Sequence, residues 1–206
     1  GQTVHLAPEL YVRAHYRHML LHQFTEVKVG AKIDVLHLTA PLPVTMKGVK
    51  RVVTIHDLIP LRLPHTTLHN KPVFMAMCRE VVRHADHIAV VSEATRQDVI
   101  RMLGVPEDRV TNTYQAVHLP PDIENKSESD ALLDIEEVLG LGWQDYFLYF
   151  GAIEPKKNLA RVIEAHLTSK VSAPLVIVGG RGWLDADETA FLDQLAAEHP
   201  DRKSVV

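Results

Sequence analysis

This sequence contains a single cysteine, has only a small net charge and lacks long apolar runs. Each of these features excludes a class of protein. One cysteine, Cys78, among 206 residues excludes an intrachain disulfide framework and a cysteine-based zinc site. A net charge of −4 supplies no basic excess for a phosphate backbone, so we expect no nucleic-acid partner. No apolar run approaches the roughly 20 residues that a membrane-spanning helix requires.

What remains is a regular alternation of apolar runs and amphipathic segments. Such alternation predicts an α/β fold whose parallel sheets carry helices on both faces. Residues 60–72, with three prolines, are predicted to form a loop. Strands are predicted over residues 33–38, 49–55, 87–91, 109–113, 146–150 and 173–178, and helices over 8–25, 72–85, 92–103, from 158 onward, and over 186–198.

A change in composition divides the chain into two predicted domains. The first covers residues 1–121, a polar and mostly acidic linker covers 122–143, and the second covers 144–206. The last segment holds only two predicted strands and two helices, too few to bury a stable doubly wound core. We therefore expect the C-terminal domain to be incomplete, either because the chain is a piece of a longer protein or because a partner completes the sheet.

The most informative stretch runs from Tyr146 to Asn158, where a buried strand ends at Gly151 and a short turn leads into a helix. The turn carries Lys156 and Lys157, and the helix begins at Asn158. The amino end of a helix has unpaired N–H groups and a partial positive charge. Two lysines beside it predict a site for a phosphate or diphosphate.

Other notable residues also follow predicted strands. His56, Ser92 and Gly179 lie at carboxyl ends, as Gly151 does, and ligands of parallel sheets bind at those ends. This placement predicts two half-sites that face each other across a cleft. Ser92 is expected to cap a helix, whereas Gly179 and Gly180 either let a ligand approach the backbone or simply turn the chain.

Three blocks together resemble one family. They are VVTIHDLIPLRLP (52–64), ADHIAVVSEATRQDVIRMLGVPEDRV (85–110) and YFGAIEPKKNLARVIEAH (149–166), and PLVIVGGRGWLD (174–185) fits the same pattern. This sequence is similar to the GT-B retaining glycosyltransferases of the large group 1, or family 4, type, which includes many bacterial mannosyltransferases. The family's glycine-rich N-terminal loop is not recognisable here, and its downstream Glu-x7-Glu region is absent.

The resemblance implies a fold, a function and site residues. Both domains would be doubly wound and Rossmann-like, with the C-terminal one incomplete. Lys156 and Lys157 would hold the donor diphosphate, and Lys157 would act in catalysis with His56, whose imidazole can donate a hydrogen bond to the transferred sugar. Asp57 would orient its loop. The remaining donor-binding residues would be Gly151, Asn158, Gly179 and Gly180.

The implied reaction moves a mannose-like hexose from a nucleotide-diphosphate sugar to a hydroxyl of a glycan or lipid-linked acceptor. No cofactor and no metal are expected, because lysines and helix dipoles replace them. Family members of this kind work in the cytoplasm, some of them peripheral to the inner face of the membrane. The fragment alone is expected to be inactive, because half of the site would lie in the missing C-terminal part of the chain.

Alternative interpretations stay open at this point. A Rossmann-like module that binds a nucleotide sugar without turnover fits the missing carboxylates. His56-Asp57 invites a metal-dependent phosphohydrolase, although that class needs further ligands and sets the pair on a helix. The pairs His65/His69 and His84/His87 have metal-ligand spacings but are expected to be surface features.

Overall fold

The structure, a computed structural model, describes residues 7–68 and 70–180. The chain forms two compact units, Gly1–Ala116 and Val117–Val206. Helices and parallel strands build both units, which confirms the predicted α/β class. The predicted helix at 186–198 lies outside the described residues.

The first unit is built on a four-stranded parallel sheet. The strands β2 (Val35–Leu38), β4 (Lys50–Ile55), β5 (His87–Val90) and β6 (Val110–Asn112) lie side by side in this order. Val35 pairs with Lys50, and Val52 pairs with His87. The helices and strands are α1 (Leu10–Leu21), β1 (Thr25–Glu26), β2 (Val35–Leu38), β3 (Val44–Thr45), β4 (Lys50–Ile55), α2 (Ile59–Arg62), α3 (Lys71–His84), β5 (His87–Val90), α4 (Glu93–Leu103) and β6 (Val110–Asn112).

The two central strands carry the core of this unit. Beyond their first polar residues, β4 and β5 consist mainly of buried β-branched and apolar residues, as expected for strands that helices cover on both faces. Side chains of α3 and α4 pack against these strands. The fully buried members on the strands are Val53, Ile55, Ile88 and Val90.

Helix α4 begins and ends at the predicted residues. The Ser92 hydroxyl accepts a hydrogen bond from the Thr95 amide at 3.1 Å, and Gly104 follows the helix with a φ of 70°. A serine cap satisfies an amide that the helix leaves unpaired, and glycine adopts the left-handed conformation without strain. Both signals are read directly from the sequence.

The region 60–72, predicted to be a loop, contains α2 and a 3₁₀ turn at Pro64–Thr66. The prediction was wrong because Pro60 lies in the first turn of α2, where its missing N–H needs no partner. The Asp57 carboxylate accepts a hydrogen bond from the Ile59 amide at 2.9 Å and thereby starts that helix. Two short strands, β1 and β3, were also not predicted; they pair with each other in parallel.

Helix α1 is shorter than the predicted 8–25, and its buried residues are not its large apolar ones. Its buried residues are Ala14 and His18, whereas the large apolar side chains of the helix are exposed. His18 is 8% exposed, and its ring lies 5.8 Å from that of Phe24 and 6.1 Å from that of His22. The exposed apolar members are Tyr11, Val12, Tyr16, Met19, Leu20 and Leu21.

His18 predicts a dependence of stability on pH. Burial lowers the pKa of His18, and the neighbouring His22 and His15 lower it further against the opposing effect of Glu80. The unfolded chain therefore binds a proton more readily than the folded one. We expect the free energy of unfolding to fall as the pH drops below about 6.5, the ordinary histidine pKa.

Urea denaturation of the intact protein between pH 8 and pH 5 measures this dependence. His18→Leu should flatten the curve in that range, because it removes the group that protonates on unfolding. Carboxylates contribute in a separate range near pH 4. An equally steep fall in the variant would contradict a role for His18.

The second unit contains a parallel strand pair with one helix between the strands. β7 and β8 pair from Phe147↔Leu175 to Phe150↔Val178. A small core of Ile153, Leu159 and Ile163 packs beneath them. The elements of this unit are α5 (Pro121–Glu124), α6 (Glu128–Leu139), β7 (Phe147–Phe150), α7 (Leu159–Ser169) and β8 (Leu175–Val178).

The segment 122–143, predicted as a polar and mostly acidic linker, is mainly helical. The Ser127 hydroxyl caps α6 by accepting from the Asp130 amide at 3.1 Å, and Gly140 follows the helix with a φ of 67°. The acidic residues that suggested a linker include Glu128 and Asp130 in the first turn of α6, where negative charge stabilises a helix.

Within the described residues, the longest helices are too short or too polar to cross a bilayer.

Candidate active site

His56 lies at the carboxyl edge of the first unit's sheet, directly after β4. Its Nε2–H donates a hydrogen bond to the carbonyl oxygen of Thr39, at 3.0 Å, and Thr39 follows the neighbouring strand β2. A carbonyl can only accept, so Nε2 carries the proton and Nδ1 of the neutral ring has a lone pair. His56 is exposed, so its imidazole offers an acceptor to a ligand.

A second set of hydrogen bonds holds the backbone at His56. The Thr95 hydroxyl donates to the carbonyl oxygen of His56 at 3.0 Å. Since that uses the only Thr95 hydroxyl proton, the Ser92 hydroxyl must donate to Thr95 Oγ1, which lies 3.0 Å away. Ser92 is thus engaged as a helix cap and a link to the His56 loop, which excludes it as an activated nucleophile in this arrangement.

Sequence reasoning missed Thr39 and Thr95. The placement of Thr39 directly after a strand could have revealed it by the rule that identified His56. Thr95 gave no such signal, because a buried threonine in a first helical turn reads as a packing residue.

The described part of the chain holds no metal cluster around the His56-Asp57 pair. Within residues 7–68 and 70–180, no group of three or more histidine, cysteine or carboxylate side chains could hold a metal ion. The Asp57 carboxylate accepts from the Ile59 amide, so it orients the start of α2. The described part of the chain therefore lacks the additional metal ligands that a metal-dependent phosphohydrolase would need.

In the second unit, the backbone at Gly151 and Gly179 comes unusually close. Gly151 follows β7 with a φ of 132°, a conformation that favours glycine. A Cβ atom on Gly179 would lie 1.9 Å from the carbonyl oxygen of Gly151. The Gly151 amide donates to Val178 at 2.9 Å and the Ile153 amide to Gly180 at 3.0 Å, so the two strand ends remain paired beyond the sheet.

A 3₁₀ turn, Pro155–Lys157, connects this glycine pair to α7. Here the two predicted lysines differ. The Lys156 ammonium lies 3.2 Å from a carboxylate oxygen of Glu154. Lys157 is exposed, its Cε lies 3.9 Å from the point where a Gly151 Cβ would be, and no described side chain pairs with its ammonium.

The amino end of α7 lacks a side-chain cap. Asn158 adopts the left-handed conformation with a φ of 56°, and its side chain makes no capping hydrogen bond. Among the described residues, the amides of the first turn of α7 therefore have no side-chain acceptor. Lys157 precedes Asn158, so an exposed cation and an uncapped helix end lie together at one strand edge.

The structure thus brings Gly151, Gly179 and Lys157 together in the second unit and places His56 in the first. Gly180 joins the pairing through its carbonyl, and a Cβ on it would meet no heavy atom within 4 Å. Donor binding by these residues stays a prediction.

Comparison with known proteins places the chain in a family. The profile of glycosyltransferase family 4 matches residues 3–119. The chain is 29% identical over 141 residues to O-antigen chain mannosyltransferase B of Escherichia coli, covering 66% of this chain and 36% of that protein. It is 24% identical over 157 residues to the O-antigen chain mannosyltransferase RfbU of Salmonella typhimurium, covering 75% and 38%. The chain therefore spans less than two fifths of the length of these relatives.

Solved structures agree with the fold. The crystal structure of Anabaena HepE in complex with UDP aligns with a TM-score of 0.56 at 18% identity, over 73% of this chain and 39% of that one. The complex of HepE with UDP and glucose gives 0.55 at 18% identity, over 76% and 40%. These alignments confirm the predicted GT-B fold class. Since the family profile covers more than half of its residues, the chain belongs to glycosyltransferase family 4.

Proposed function

We propose that this chain is part of a retaining glycosyltransferase that transfers a mannose-like hexose from a nucleotide-diphosphate sugar to a hydroxyl acceptor. The observation that carries the proposal is Lys157, an exposed cation without a described partner at the strand-end turn of a family 4 chain. The relatives support the choice of sugar, because both are O-antigen chain mannosyltransferases.

In this proposal, Lys157 binds the donor diphosphate and stabilises the negative charge that develops on it as the sugar leaves. Cations and dipoles that point at the charge developing in the transition state usually make the largest single contribution to catalysis. The uncapped amides at the start of α7 add donors and a partial positive charge. Gly151 and Gly179 keep the strand ends free of side chains, so that the diphosphate can approach the backbone.

The proposed role of His56 is to contact the transferred sugar. The sequence suggests a hydrogen-bond donor, but Nε2–H is already bonded to the Thr39 carbonyl. In the neutral ring, Nδ1 is therefore the atom available to a sugar hydroxyl, and it accepts a hydrogen bond. Thr39 and Thr95 fix the ring and the backbone respectively, so His56 is preorganised for that contact.

A thermal-shift screen of the intact protein against UDP-, GDP- and ADP-sugars tests this function. A ligand that binds only the folded state raises the melting temperature, so one donor class should stabilise the protein at micromolar to millimolar concentrations. Stabilisation followed by transfer or slow donor hydrolysis supports the proposal. Stabilisation without any turnover would instead favour a non-catalytic binding module, and no response to any nucleotide sugar would contradict both.

A further inference from the structure

Glu154 is a buried acidic residue directly before the 3₁₀ turn Pro155–Lys157, which belongs to the proposed donor site. Its exposed fraction is 6%, and the cation that contacts it is Lys156, 3.2 Å away. A carboxylate removed from water needs a partner of opposite charge. If Lys156 left to bind a ligand, the Glu154 charge would remain buried and uncompensated.

The backbone links this ion pair to Lys157. The Lys157 amide donates to the carbonyl oxygen of Glu154 at 2.9 Å, and the Asn158 amide donates to that of Pro155 at 3.1 Å. Buried Ile153 and Leu159 anchor the two ends of this segment in the core. The ion pair between Glu154 and Lys156 therefore connects the residue before the turn to a residue within it. This connection restrains the position of the following residue, Lys157.

We infer that the two lysines divide the work: Lys156 and Glu154 form a positioning pair, and Lys157 alone supplies the ammonium that touches the diphosphate. This inference rests on the proposed function and deepens it. It replaces the sequence-based expectation that both lysines bind the donor. The pair acts through the shape of the turn, so a neutral pair of similar size can take its place.

Titration calorimetry of the intact protein with UDP, and separately with GDP, at several salt concentrations tests this division. Lys157→Met should weaken the binding of whichever nucleotide binds by about tenfold or more, as expected for loss of a charge-assisted hydrogen bond. The double variant Glu154→Gln/Lys156→Gln keeps the net charge and should stay within about threefold of the wild type, because a neutral pair often substitutes for a buried ion pair.

The single variant Lys156→Met should bind the nucleotide more weakly than the double variant, because it leaves Glu154 buried without a counterion. Adding Glu154→Gln to Lys156→Met should restore the affinity for the nucleotide. The second substitution would not restore affinity if Lys156 itself contacted the diphosphate. The salt dependence of binding should fall in Lys157→Met and stay unchanged in the double variant, since each cation that contacts phosphate contributes to that dependence.

A double variant that loses as much affinity and salt dependence as Lys157→Met would overturn the inference, while leaving diphosphate binding at this turn intact. If Lys157→Met binds UDP and GDP as the wild type does, the proposed function of the turn fails and takes the inference with it. Circular dichroism confirms that each variant is folded; if Lys156→Met alone is not folded, the comparison of wild type, double variant and Lys157→Met decides the question.

Discussion

Gly179→Ala is expected to disrupt the second unit. The added Cβ would lie 1.9 Å from the carbonyl oxygen and 2.7 Å from the carbonyl carbon of Gly151. Neither atom belongs to a flexible side chain, so the ends of β7 and β8 would have to separate. We expect the free energy of unfolding to drop by about 3 kcal/mol or more, at the severe end of single substitutions.

Gly180→Ala provides a matched control one residue further along the chain. A Cβ at Gly180 meets no heavy atom within 4 Å, so the same chemical change should alter stability by less than about 1 kcal/mol. Denaturant unfolding of the intact protein, followed by circular dichroism, compares the two variants. Equal stability of both would show that the strand ends are not as close as the structure places them.

Among the substitutions proposed for this protein, Lys157→Met is expected to cause the largest loss of donor hydrolysis. If its ammonium stabilises the leaving diphosphate, its removal should lower kcat/KM for donor hydrolysis about 100-fold, the loss seen when one preorganised transition-state donor is deleted. Hydrolysis of the sugar nucleotide identified in the thermal-shift screen is a suitable assay, because it needs no acceptor. The fold should survive, since Lys157 is exposed and its side chain makes no hydrogen bond or ion pair among the described residues.

Lys170→Met is the control for this experiment. Lys170 is an exposed lysine that follows the opposite end of α7, so its loss removes the same charge from the same unit. Its kcat/KM should stay within about twofold of the wild type, because screened charges far from the reacting group contribute little. Comparable losses in both variants would indicate a general effect of net charge and contradict a specific role of Lys157.

Local signals in the sequence predicted much of the fold. The apolar runs of β4 and β5, the Ser92 cap and Gly104 at the end of α4 each carry their own physical reason, and the structure confirms them. The order of strands and helices implied parallel pairing, which every sheet in the described part of the chain shows. His56 and Gly151 were found because strand ends can be read from the sequence.

Features that depend on tertiary contacts could not be predicted. The apolar residues of α1 do not identify the side that packs inward, because its buried residues are Ala14 and His18. The short strands β1 and β3 have only two residues each, too few for a periodic pattern to identify.

The candidate site shows the same limit. The sequence predicts that Lys156 and Lys157 both bind the diphosphate, because adjacent lysines in a turn have similar local context. Only the burial of Glu154 and its contact with Lys156 distinguish them. The choice between the two nitrogens of His56 likewise depends on the carbonyl of Thr39, which is distant in sequence and adjacent in space.

A crystal structure of the intact protein with its preferred nucleoside diphosphate bound is the most direct test of the central claim. The account predicts a phosphate oxygen at about 3 Å from Lys157 Nζ, the distance of a charge-assisted hydrogen bond, with Lys156 still paired to Glu154. A diphosphate bound away from the segment Gly151–Asn158, which contains the turn Pro155–Lys157, would contradict the central claim.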